Sequence, residues 1–123
     1  MDFQTAVRTC LLKYATFTGR ARRAELWWFV LFNLLVQIVM SLLDGILGIA
    51  LLSVLFSLAM IVPNIAVGVR RLHDLDKSGW WYLLVLIPVI GALILIFFFI
   101  QRGTVGPNRF GADPLAEEDT VPA

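Results

Sequence analysis

His73, Asp74 and Asp76 stand close together in the run from Arg70 to Trp81. An imidazole beside two carboxylates is a side-chain set that binds zinc or manganese and moves protons. The spacing weighs against both uses. On a helix, Asp76 shares a face with His73 while Asp74 points away, a metal needs three or four converging ligands, and Arg70, Arg71 and Lys77 repel a dication. The single Cys10 excludes an intrachain disulfide and a cysteine-based metal cluster. It also lies in a different segment from His73, with no third catalytic partner in view. Ser78 before Gly79 reads as a helix cap rather than a nucleophile. No metal site, catalytic set or cofactor is expected, and the chain is not expected to be an enzyme.

Arginine offers a different chemistry. Arg20, Arg22, Arg23, Arg70, Arg71 and Lys77 flank long apolar runs, where each cation gains about 1 kcal/mol against anionic headgroups. Arginine holds five of these six positions, and its planar fork suits bidentate contact with phosphate or carboxylate. The six define a candidate headgroup or anionic-ligand surface, with Glu25, Asp74 and Asp76 as candidate ion-pair partners. Within the runs, Asn33, Gln37, Ser41 and Asp44 fall on one face of the first, and Ser53, Ser57 and Asn64 form a similar stripe on the second. Such stripes either line a hydrated path or join helices at about 0.6 kcal/mol per hydrogen bond. Joining is the expected role, because no ionisable residue sits deep in a run.

Composition says which elements must hold these residues. The chain is 59% hydrophobic with a mean hydropathy of +0.84, more than a soluble domain of 123 residues can bury. The expected solvent is a bilayer. A net charge of +1 argues against a nucleic-acid partner, whose phosphates need a strongly basic face. Phe3, Val7, Cys10, Leu11 and Tyr14 share one face of an amphipathic helix over residues 2–16. It reads as an interfacial helix, with docking on the rest of the chain as the alternative. Apolar runs follow at about 26–43, 46–69 and 80–100. Asp44-Gly45 reads as the turn between the first two, and Pro88 with Gly91 predicts a kink in the third. The expected fold class is all-α: an integral membrane helical bundle with three transmembrane helices plus an N-terminal amphipathic interfacial helix. It forms a single membrane domain over residues 1–114, followed by a disordered acidic tail at 115–123.

The N-terminal segment carries five Lys or Arg, the first connection none, the second three and the tail two. With three crossings, this distribution predicts the N-terminus and the Arg70–Lys77 segment in the cytoplasm and the tail outside. A re-entrant hairpin formed by the first two runs would instead bring the tail inside.

Three polar motifs stand at the expected interfaces: TGRARRAELWW at 18–28, RRLHDLDKSGWW at 70–81 and GPNRFGADP at 106–114. In the last, Arg109 is placed to meet Asp113 or a headgroup. Together the three resemble domain of unknown function 805, a family of small bacterial inner-membrane proteins, from Phe3 to about Pro114. The resemblance implies a multi-spanning protein of the bacterial cytoplasmic membrane and carries over no ligand or catalytic residue. The expected role is noncatalytic: an interaction or scaffold protein whose basic cytoplasmic rim meets membrane lipids or a partner's acidic surface. The alternative is an oligomeric small-solute channel or transporter. The partners considered are accordingly lipids, a second copy of the chain, or another membrane protein.

Overall fold

The computed structural model describes residues 2–114. Its elements are helical: α1 Phe3–Leu12, α2 Arg23–Leu47, α3 Leu52–Asp74, a 3₁₀ helix Gly79–Leu86, and α4 Ile90–Ile100. The tail expected at 115–123 lies outside the described residues.

α1 is shorter than the predicted 2–16. The Asp2 carboxylate caps it by accepting from the Thr5 N–H at 2.8 Å. Its Ala6 and Cys10 are buried, and Phe3 meets Trp28 and Phe32 of α2 at centroid distances of 5.8 and 6.5 Å. The helix thus docks on α2 by one face while Leu11 and Leu12 stay exposed. Tyr14, just beyond it, completes a deficit elsewhere. Pro63 has no N–H to offer the Ala59 carbonyl one turn earlier, and the Tyr14 hydroxyl donates to that oxygen at 3.0 Å.

α2 and α3 have 25 and 23 residues, or about 37 and 35 Å at 1.5 Å per residue. They pack antiparallel with their apolar surface outward: Leu34, Leu42, Ile46 and Leu58 are each more than half exposed. A soluble protein does not leave so continuous an apolar surface uncovered. The turn between them is not at Asp44-Gly45. α2 runs through both residues to Leu47, and Gly48 ends it at φ 69°, in the left-handed region that favours glycine. Asp44 instead serves the next helix, its carboxylate accepting from the N–H groups of Leu52 and Ser53 at 2.9 and 3.0 Å and from the Ser53 hydroxyl at 2.7 Å. α3 likewise continues past the predicted end at 69, so that Arg70 to Asp74 occupy its last turns.

The third apolar run departs furthest from expectation. It is a hairpin, not one kinked transmembrane helix. The 3₁₀ helix descends, Pro88 and Val89 reverse the chain, and α4 returns beside it. At the tip Val89 has φ 63° and ψ −65°, and the Ile90 N–H donates to the Pro88 carbonyl at 2.7 Å. This is a tight γ-turn in a conformation that β-branched residues rarely adopt. Gly91 follows because a Cβ there would collide with the Leu84 carbonyl. Trp81 near the start meets Phe98 near the end, with centroids 5.9 Å apart. Proline explains why a kink becomes a reversal: it lacks a donor and biases Ile87 toward extended backbone, observed at ψ 109°. The expected three full-length helices are therefore two long helices and a hairpin. Its 8-residue and 11-residue arms are each about 16 Å long.

The buried core, Cys10, Ala21, Leu26, Phe29 and Val67, sits at the end where α2 begins and α3 finishes. The hairpin starts and finishes there too.

Candidate functional site

Arg20 occupies the centre of that end and is only 7% exposed. Its Nε donates to the Asp74 carboxylate at 3.0 Å. Nη1 donates to the carbonyls of Gly106 and Gly111 at 2.8 and 3.2 Å, and Nη2 to those of Thr104 and Asp74 at 2.6 and 3.4 Å. One guanidinium from the first motif thus binds the second and third together. Asp113 adds its carboxylate 4.0 Å from Arg20 and 3.7 Å from Arg102, and accepts from the Gly106 N–H at 2.9 Å.

Two further arginines lie inside this cap. Arg70 and Arg71 are fully buried. Arg70 pairs with Glu25 at 2.7 Å, and its carbonyl accepts from the Ala21 N–H at 3.0 Å. Arg71 pairs with Asp74 and donates to the Gln101 carbonyl, with its Nε 3.4 Å from the Phe99 carbonyl. Gly103 passes so close to Asp74 that a Cβ there would overlap the carboxylate. Carboxylates and carbonyls of the chain itself bond Arg20 and Arg71 on several sides, whereas the buried Arg70 bonds Glu25 through Nη1 and keeps Nε and Nη2 without a hydrogen-bond partner among the described residues. Of the other predicted cations, Arg22 donates to the Pro114 carbonyl at 3.0 Å, and the exposed Arg23 donates to the Ile100 carbonyl at 2.9 Å. The Lys77 ammonium lies over the Trp81 and Phe98 rings, 5.6 and 5.0 Å from their centroids.

The His73-Asp74-Asp76 run is divided among separate tasks. The His73 ring stacks on Phe110 with centroids 4.0 Å apart and planes 1° from parallel, and its Nδ1 lies 2.9 Å from the Gly19 carbonyl. Asp74 meets Arg20 and Arg71. Asp76, at φ 59°, pairs with Arg109 at 3.3 Å. Arg109, for which its own motif offered Asp113 or a headgroup, thus meets Asp76. Among the described residues, no three His, Cys, Asp or Glu side chains converge as metal ligands. Cys10 lies beside Glu25, its Sγ 3.9 Å from the carboxylate. Burial, and then the Glu25 charge, pushes its thiol up to about 12.

The polar stripes face each other. Asn33 and Asn64 exchange amide hydrogen bonds at 3.2 and 3.1 Å, the Ser57 hydroxyl donates to Gln37 at 3.3 Å, and Asp44 binds Ser53 as described. Ser41 is exposed.

Sequence reasoning missed Asn108 and Phe110 as members of the cap, and it placed Asp113 with Arg109 where the structure places it with Arg20 and Arg102. Asn108 donates to the His73 carbonyl at 2.9 Å and, through its side-chain oxygen, receives the Phe110 N–H at 2.9 Å. One signal was present: Asp113 is the one acid of the third motif.

Comparison with known proteins covers most of the chain. A family model described as protein of unknown function (DUF805) matches residues 14–112. Inner membrane protein YhaI of Escherichia coli K12 is 48% identical over 106 residues, covering 85% of this chain and 90% of the relative. Inner membrane protein YhaH of the same organism is 48% identical over 113 residues, covering 87% and 93%. No solved structure matches. With two long apolar helices, a cap built from its three polar motifs and a match over most of its length, this chain belongs to the DUF805 family of bacterial membrane proteins.

Proposed function

We propose that this protein is a noncatalytic scaffold of the inner membrane that crosses the bilayer twice, with its N-terminus, the arginine cap and residues 102–114 in the cytoplasm. The observation that carries this reading is the single Arg20 guanidinium bonded to both other motifs. Because the third run reverses, Arg102 and Arg109 lie at the same end as Arg20, Arg22, Arg23, Arg70, Arg71 and Lys77, and Arg8 and Lys13 precede the helix that starts there. The Gly48–Leu51 turn at the other end carries none. Two crossings therefore satisfy the positive-inside rule fully, whereas three would leave Arg102 and Arg109 outside. Length agrees: α2 and α3 exceed a hydrocarbon core of about 30 Å, and hairpin arms of about 16 Å reach only its middle.

The scaffold reading follows from what the polar residues do. Apart from Nε and Nη2 of Arg70, the buried ones bind one another, which favours a rigid platform over a reactive site. The Asn33–Asn64 and Gln37–Ser57 pairs close the seam that a solute path would need open, which favours a scaffold over a channel. The exposed cations Arg8, Lys13, Arg23 and Arg102 form a rim for anionic headgroups, each contributing about 1 kcal/mol. Paired C-terminal fusions test the topology: a fluorescent protein should fluoresce and alkaline phosphatase should be inactive. The reverse pattern refutes two crossings. Native mass spectrometry tests the rim, since alanine at Arg8, Lys13 and Arg23 together should strip bound anionic lipid. Unchanged retention refutes it.

A further inference from the structure

A cavity of about 700 Å³ lies between α3 and the 3₁₀ helix, within the range of about 300–1,000 Å³ typical of small-molecule sites. Ile65, Val69, Leu83 and Leu86 give it apolar walls, and Phe110 of the third motif and His73 lie at its polar end. His73 is 8% exposed. Its Nδ1 faces the Gly19 carbonyl at 2.9 Å, and a carbonyl can only accept. In the neutral ring Nδ1 therefore carries the proton, and Nε2 keeps a lone pair. Nε2 has no hydrogen-bond partner among the described residues. Gly79 lets the start of the 3₁₀ helix pack against Val69 beside this ring, since a Cβ there would stand 2.8 Å from Val69 Cγ1. An acceptor at the polar end of an apolar cavity offers a ligand one directional contact, to a donor.

We infer that this cavity binds a neutral membrane amphiphile whose hydroxyl head donates to His73 Nε2 and whose apolar tail runs along Ile65 and Leu86. Charge selects against an anionic head. Arg109, the cation beside Phe110 at 4.8 Å, is paired with Asp76 at 3.3 Å, and a lone pair repels phosphate oxygens. The tail end opens onto helices that hydrocarbon surrounds, so the ligand enters from the bilayer; this step rests on the membrane placement proposed above. Two sources supply the chemistry, a glycerol-headed lipid and a quinol.

The chain has one histidine, so histidine-selective ¹⁵N labelling reports on His73 alone. The full-length protein in phosphatidylcholine nanodiscs is titrated with 1-monooleoylglycerol or with decylubiquinol, each compared with its methyl ether. A saturable shift of Nε2 with one alcohol, absent with its ether, identifies the source. His73→Phe should weaken binding of that alcohol about tenfold, as loss of one hydrogen bond implies. Leu86→Trp should fill the cavity and weaken binding while leaving the ligand-free His73 signals in place, which separates a blocked site from a misfolded protein. No shift with either alcohol, an equal shift with the ether, or unchanged affinity in Leu86→Trp overturns the proposal. The C-terminal fusions are read on the same protein, so a failed site and a failed topology are told apart.

Discussion

Arg20→Ala removes the donors that hold the cap together. The loss comprises the bonds to the Asp74 carboxylate at 3.0 and 2.9 Å and those to the carbonyls of Asp74, Thr104, Gly106 and Gly111. Breaking a buried ion pair by deleting one partner costs about 3–5 kcal/mol. Two features place this case within that range. Asp74 keeps Arg71 as a partner, which lowers the cost, while several carbonyls lose a charged donor together, which raises it. An expected loss of about 4 kcal/mol corresponds to a melting temperature lower by roughly 10–15 °C for a chain of this size. Arg20→Lys retains the charge but not the planar fork, so it should lose about half as much. Thermal unfolding of the detergent-purified protein measures the loss. Trypsin digestion of inverted membrane vesicles locates it, because the freed third motif should be cut after Arg102 and Arg109. A variant with wild-type melting and wild-type trypsin resistance would show that the cap does not depend on Arg20, and the reasoning would fail.

At the hairpin tip, Val89→Gly should stabilise by about 1 kcal/mol by relieving the positive φ, and Gly91→Ala should destabilise by more than 2 kcal/mol through contact with the Leu84 carbonyl, both read by thermal unfolding. With a pKa near 12, about one Cys10 thiol in ten thousand is ionised at pH 8. Maleimide should therefore label Cys10 only after denaturation, and labelling of the native protein at a free-thiol rate would contradict its burial. Because the native thiol ionises later than the unfolded one, whose ordinary value is 9.0, the unfolded state loses its proton first. Stability from this group should fall as pH rises from 9 toward 12. A double-mutant cycle of Asn33→Leu and Asn64→Leu should give a coupling of about 0.6–1.2 kcal/mol for the two amide bonds; zero coupling would remove the seam argument. Arg71→Lys keeps the Lys and Arg count unchanged, so C-terminal fusions should report wild-type topology while amide exchange at the end of α4 accelerates.

The long helices were legible in the sequence because hydropathy measures the property that makes them, and their boundaries moved for nameable reasons. Asp44-Gly45 has turn composition, but Asp44 carries an acceptor that the unpaired N–H groups of the following helix can use, and Gly48 supplies the left-handed residue. The hairpin was half legible. Pro88 and Gly91 marked the place, yet a run of apolar residues long enough to cross has the same hydropathy whether it crosses or returns. The ion-pair partners Glu25 and Asp74 were legible, but the burial of the arginines was not. Charge counting treats Arg20, Arg70 and Arg71 as a basic rim, and only the tertiary arrangement of Glu25, Asp74 and the carbonyls of residues 101–111 turns them inward.

The prevalence of arginine at these positions then has a cause other than headgroups. α4 ends at Gln101 with extended backbone, φ −77° and ψ 154°, and no glycine stands there to close the helix on itself. Its last carbonyls need outside donors, since an unsatisfied one in an apolar setting costs several kcal/mol. Trp27 Nε1 donates to the Phe99 carbonyl at 3.1 Å, Arg23 to that of Ile100 at 2.9 Å, and Arg71 to that of Gln101. Each donor comes from the end of a long helix, and the two cations also complement the negative end of the α4 dipole. A lysine would carry the same charge to the same depth. Arg71 adds the forked geometry that reaches Asp74 and Gln101 together, and that geometry lets an apolar hairpin finish at the end of the helix pair where it began.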